Sequence, residues 1–197
     1  MTMKTSFYLL VLFGCFWACS RSTDDATIPP LDDTKNVTAS LNDSVWYGHG
    51  VASRVSPLVN GDCGKNRFNL SISNALPYPK GLRQAAPSIC AGPCDRTQYL
   101  SFEKVPLAVG KYDIASLNTC ASTPLTGVNY GLIVGGDAVF SSYIAKEPAS
   151  GWIEITKADT VANVLEGKFE VTLVSRSDNS TATARFRNGL FSLGLTK

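Results

Sequence analysis

The chain has 197 residues, enough for one ordinary domain, and its 18 lysines and arginines against 16 aspartates and glutamates leave it close to neutral. No basic run tracks a phosphate backbone, so nucleic acid is not an expected partner. Sixteen glycines, ten prolines and 44% apolar residues exclude a coiled coil and a disordered chain, and suit a turn-rich globular domain.

The first element is MTMKTSFYLLVLFGCFWAC, where Lys4 precedes an apolar run from Phe7 to Ala18. That run is too short for an anchor spanning a bilayer and has the size of a secretory h-region. A cysteine follows Ala18 directly, as in bacterial lipoproteins, whose first mature residue carries the lipid. Cys15 and Cys19 both qualify by type. Cutting at Cys15 would leave Phe16 and Trp17 on the mature end, so Cys19 is the expected lipid attachment residue. Residues 1–18 then form a lipoprotein signal, 19–36 a flexible tether rich in Ser, Thr, Asp and Pro, and 37–197 the folded domain. Asp24, Asp25, Asp32 and Asp33 fall in the tether as solvated charges.

From residue 38 onward the apolar positions alternate, the mark of half-buried strands. TASLNDSVWYGHGVASRV reads as a short strand, an Asn-Asp turn and a longer strand, and NRFNLSIS as a third. The following twenty or so residues, NALPYPKGLRQAAPSICAGPC, hold four prolines and are expected to be a loop. QYLSFEKV and KYDIAS read as a hairpin about PLAVG. GLIVGGDA, residues 131–138, lacks the Lys and Ser/Thr of a phosphate loop and reads as a turn or flexible strand. VFSSYIAK, WIEITKAD, EGKFEVTLVS and TATARFRNGLFSLGL complete the strands, with Phe169, Val171 and Leu173 facing one way and Lys168, Glu170 and Thr172 the other. Short turns between them require antiparallel neighbours. The expected fold is all-β, an antiparallel β-sandwich of about 8–10 strands, with a closed, lipocalin-like barrel as the alternative. Trp46, Trp152, Phe169 and Phe186 are the candidate core.

Four cysteines lie beyond the leader: Cys63, Cys90, Cys94 and Cys120. Outside the cytoplasm they are expected to form two disulfides rather than a zinc site, because only Cys90 and Cys94 are closely spaced. Sequence alone permits three pairings. If the hairpin about PLAVG sets the geometry, Cys94 and Cys120 sit just beyond its open ends, which favours Cys94 with Cys120 and Cys63 with Cys90.

The blocks LSFEKVPLAVGKYDI, GWIEITKAD, LEGKFEVTLV and RFRNGLFSL, in this order, resemble an uncharacterised family of Bacteroidota lipoproteins assigned only a domain of unknown function. Its strands run G-x-Y, G-x-I-x-I-T, G-x-F and N-G-x-F, and the resemblance covers about residues 38–195. It implies a β-sandwich-like lipoprotein held to the outer membrane of a Gram-negative bacterium, on its periplasmic or surface face. It implies no activity. The four extra cysteines depart from that pattern. Gly110 and Gly167 mark strand starts, and Gly189 after Asn188 suits a turn or bulge with positive φ.

Chemistry is sparse. The single histidine, His49, has no G-x-S-x-G nucleophile to serve. No metal motif is present, and no cofactor is expected. Glu103, Glu154, Glu166, Glu170 and Asp113 lie on strands or at their ends, where two could form a hydrolase pair of carboxyl groups. Arg185 and Arg187 share an outward face suited to an anion. The triplets at Asn36, Asn42, Asn69 and Asn179 matter only in a eukaryotic secretory route. The leading expectation is a non-catalytic binding or assembly module, contacting a glycan, peptide or protein through end loops, above all loop 74–97 with Tyr78 and Arg83. A small envelope hydrolase and a barrel-type carrier of an apolar ligand are the alternatives.

Overall fold

The structure, a computed structural model, describes residues 31, 35–56, 63–76, 96–123, 126–134 and 138–196. The leader, Cys19 and the tether up to residue 30 lie outside the described residues, as do Tyr78, Arg83, Cys90 and Cys94. The strands are β1 (Val37–Leu41), β2 (Ser44–Arg54), β3 (Arg67–Leu76), β4 (Arg96–Pro106), β5 (Gly110–Asp113), β6 (Val128–Val134), β7 (Ala138–Ile144), β8 (Ser150–Asp159), β9 (Val164–Ser175) and β10 (Thr183–Thr196). One short helix, α1 (Ile114–Asn118), follows β5.

The all-β antiparallel architecture expected from the alternation is what the chain adopts. Its ladder also returns on itself. From β2 it passes through β3, β4, β6, β7, β9 and β10 to β1, which pairs again with β2. Among the described residues the one parallel contact is β10 with β2, at Leu195↔Ala52 and Thr196↔Ser53. β8 lies against β9 and carries β5 on its far side. β9 thus changes partner along its length: residues 164–172 pair with β8, and only Val174 and Ser175 pair with β7.

Opposite walls of this ring meet through side chains, so a barrel's connectivity encloses a sandwich's packed interior. Phe68, Phe102, Phe169, Phe186 and Phe191 fill it with Leu70, Ile72 and Leu100. Edge-on contacts join Phe102 to Phe169 (5.4 Å) and Phe186 to Trp46 (5.1 Å), the offset geometry that the ring quadrupoles favour. Trp46, Phe169 and Phe186 are core as expected. Trp152 is not. Ile153 and Ile155 take the inward positions of β8, so strand parity turns Trp152 to the outer face, where the Lys111 ammonium sits 3.9 Å from its ring centre.

Two glycine pairings explain how the walls approach. Phe169 pairs with Gly189, and Phe191 with Gly167, across β9 and β10. A Cβ at Gly189 would come within 2.6 Å of the Phe169 ring. The expected bulge is present between Phe186 and Gly189, but the positive φ belongs to Asn188, at 51°. Gly189 is there to receive a ring. Gly151 does adopt a left-handed φ, 136°, at the start of β8.

The hairpin expected between residues 98 and 116 does not form. β4 lies between β3 and β6, while β5 crosses to β8 and runs into α1. Cys120 is carried with α1 to the turn before β3, and its disulfide partner is Cys63. This corrects the favoured pairing of Cys94 with Cys120 and Cys63 with Cys90, whose premise was that hairpin. β6 is the strand that glycine content concealed: Gly131 lies directly beneath the Tyr99 ring, where any side chain would collide.

Candidate functional site

Strand directions sort the connections onto two ends of the ring. One end carries the β1–β2 turn (Asn42, Asp43), the β9–β10 turn and the connections from β3 to β4 and from β6 to β7. A binding surface was expected at this end, on loop 74–97. Residues 74–76 of that span belong to β3 and 96–97 to β4, and its residues 77–95 lie outside the described ones.

A polar and aromatic cluster underlies that end. The Trp46 indole donates to Gln98 Oε1 at 2.7 Å, and Gln98 hydrogen-bonds the Tyr130 hydroxyl. Phe186 packs edge-on against both rings. Burial pushes the Tyr130 phenol up to about 12 from 10.0, with the nearby Tyr143 adding to the rise and the Gln98 bond opposing it. A raised phenol pKa means that the folded chain keeps a proton the unfolded chain releases. Stability is therefore fully present below pH 10 and is expected to fall as pH rises through the window up to about 12. Denaturant midpoints measured across that window should fall less steeply in Tyr130→Phe. An unchanged slope would dissociate Tyr130 from the effect.

Beside this cluster the wall of the ring is thin. β7 pairs with β6 along its length, but with β9 only at Tyr143↔Ser175 and Ile144↔Val174. Among the described residues, Ala138 to Ser141 therefore have a strand on one side only. Phe140 is the extra residue of a β-bulge, since Leu132 pairs with Ser141 and Ile133 with Val139. A bulge breaks the alternation of side chains. Val139 and Phe140 both turn to water, 61% and 71% exposed. A cleft of ≈ 490 Å³ lies alongside, lined by Ser141, Ser142, Tyr143, Ser175, Arg176 and Ser177 among others. A strand edge normally carries a blunting charge or proline. This one presents a phenylalanine.

The residues singled out from sequence for chemistry are scattered. His49 is exposed on β2, opposite Ser73. Glu103 accepts from the Ser122 N–H at 3.0 Å, and Glu166 meets Lys157 at 3.3 Å. Glu154 stands between Lys168 and Lys111 on the outer sheet face, and Asp113 and Glu170 flank Trp152. Arg185 and Arg187 do share a face, as expected, but the Asp43 carboxylate at the β1–β2 turn takes both, at 2.8 and 3.8 Å. A shallow cleft of ≈ 160 Å³ brings the two arginines to Trp152 and one carboxylate, Glu170. A hydrolytic pair needs two carboxyl groups across one bound sugar. Asp159 is the carboxylate whose pKa is lowered, because the N–H groups of Ala162 and Val161 close a turn on it.

Compared with family models, with curated proteins and with solved structures, the chain matches none. Sequence reading missed Val139 and Phe140. The signal that could have found them is local: Val139 and Phe140 are adjacent apolar residues on a strand, and one buried face cannot take both without a bulge.

Proposed function

We propose that this protein is a lipid-anchored envelope lipoprotein, fastened through Cys19, whose domain is a non-catalytic binding module that takes an extended segment of a partner protein at the β7 edge. One observation carries the reading: a strand that is one-sided among the described residues, with Phe140 aimed at solvent beside a serine-lined cleft. Backbone N–H and C=O groups left without a strand neighbour are best matched by another extended backbone, and an exposed ring supplies the accompanying apolar anchor. A glycan would be better served by aromatic faces around a concave surface, and among the described residues most rings are buried in the core or packed against it. An apolar cargo would need an empty lumen, and five phenylalanines occupy the middle.

The test is site-specific photo-crosslinking in intact cells from position 140, with position 161 as control because Val161 is 93% exposed on the β8–β9 turn. The expected result is one dominant adduct from 140, mapped to a single short segment of one protein, and none of that protein from 161. Mass spectrometry of the same material reads acylation at Cys19. Equal, diffuse labelling from both positions would defeat the binding surface, and an unmodified Cys19 would defeat the anchor.

A further inference from the structure

The opposite end of the ring carries a second concavity, and its chemistry is different. A cleft of ≈ 730 Å³ opens between the end of β2, the turn before β3 and the end of β4. Arg54, Lys65 and Arg67 line it together with Ser56, Asn66 and Leu107, and no acidic side chain does so among the described residues. In a chain with a net charge of only +2, three cations around one hollow are a local concentration of charge, not a reflection of composition.

The hollow is also held in shape. Asn66 adopts a left-handed φ of 49°, and its carbonyl accepts from the Leu107 N–H at 2.7 Å, pinning the turn to the end of β4. The Cys63–Cys120 disulfide fixes the other side of the same turn. Arg67 Nη1 donates to the Lys104 carbonyl at 2.6 Å, which orients the guanidinium while leaving its remaining N–H groups for a ligand. That carbonyl is presented by a residue in a left-handed conformation, Lys104 at φ 52°, where β4 bulges against β3. One left-handed residue thus lies in the lining of the charged hollow, Asn66, and a second, Lys104, holds a lining arginine from behind.

We propose that this cleft is a binding site for a phosphoryl group. A phosphoryl group, even the monoanion of a phosphodiester, presents two charged non-bridging oxygens in tetrahedral directions that two guanidinium groups can share, whereas a single planar carboxylate is satisfied by one arginine. The position suggests the source. β1 runs antiparallel to β2 and β10, so the chain enters Val37 from the end where Arg54 lies, with Asn36 already bonded to Gly50 and Ser192. If Cys19 holds the tether to a membrane, this end faces it, and the phosphoryl group is a lipid headgroup. Only that assignment of source rests on the lipoprotein reading; the site itself does not.

The test uses the full chain, and a variant carrying Arg54→Gln with Lys65→Gln, backed by Arg54→Gln alone in case Lys65 is needed for folding. Inorganic phosphate is titrated against the thermal midpoint at constant ionic strength, with chloride as reference. Binding to phosphatidylglycerol vesicles is measured as the excess over phosphatidylcholine vesicles. Phosphate is expected to raise the midpoint of the wild-type chain, and both variants are expected to need roughly tenfold more phosphate for the same rise. A phosphatidylglycerol excess lost in the variants assigns the site to headgroups; a midpoint rise with no such excess supports the site with free phosphate or another soluble phosphoryl compound as its ligand. Neither a phosphate-dependent rise nor a phosphatidylglycerol excess in wild type, or effects equal in wild type and variants, would overturn the proposal. Loss of the anchor would show separately, as an unacylated Cys19.

Discussion

Phe169→Ala is expected to cost about 3–5 kcal/mol, the range for deleting a fully buried ring. Phe169 has no exposed surface and stands where both walls meet, touching Phe102 and, at 6.3 Å between ring centres, Phe186. The void left behind cannot close from the β10 side, because the position facing the ring is Gly189 and has no side chain to move. That geometry makes a second, sharper expectation. Gly189→Ala in the wild-type chain must push the Phe169 ring aside and is expected to destabilise by about 1–3 kcal/mol. In the Phe169→Ala background the same methyl enters empty space, so its cost should vanish or reverse. Urea midpoints of the four proteins in this cycle measure the coupling. Additive losses would mean that the ring does not rest on Gly189.

Removing the Cys63–Cys120 link is expected to have an effect of similar size. The two cysteines are 57 residues apart, and a loop of that length corresponds to about 4 kcal/mol of unfolded-state restraint in the chain-entropy account, within a usual range of about 2–4 kcal/mol. The local structure needs the link as well. α1 has five residues and no side-chain cap, so it cannot be stable alone. Ile114 and Leu117 bury its inner face, and Asn118 ties it to Gly127 and Ala145. The Cys63→Ser/Cys120→Ser double variant, compared with wild type by denaturant unfolding, isolates the link from rearrangement with other thiols. The wild-type chain in reductant should unfold at a midpoint near that of the double variant. A double variant as stable as the oxidised chain would show the link to be dispensable.

Most of the strands were legible because they are half-wet. β9 alternates so cleanly that Phe169, Val171 and Leu173 could be named as one face, and Trp46, Phe169 and Phe186 took their expected places in the core. Partnership was less legible than existence. The three-residue connection between β4 and β5, Leu107 to Val109, looks like a hairpin, yet β5 pairs with β8, some forty residues further on. The outcome depends on Ile114 and Leu117 burying beneath the sheet, a long-range gain that no local pattern records. That single error propagated into the disulfide pairing. Trp152 was misplaced for a related reason: aromatic identity suggested the core, while the parity of its neighbours Ile153 and Ile155 already excluded it. Arg54, Lys65 and Arg67 lie on two strands and the turn between them. Nothing in their spacing distinguishes them from ordinary surface cations until the turn is folded.

β1 finds its neighbours in β2, which follows it at once, and in β10, which ends at Thr196. During synthesis β1 therefore waits, one side bare, until β10 has followed it out of the ribosome about 150 residues later. The seam between them is a contact of long sequence separation, which closes late in folding.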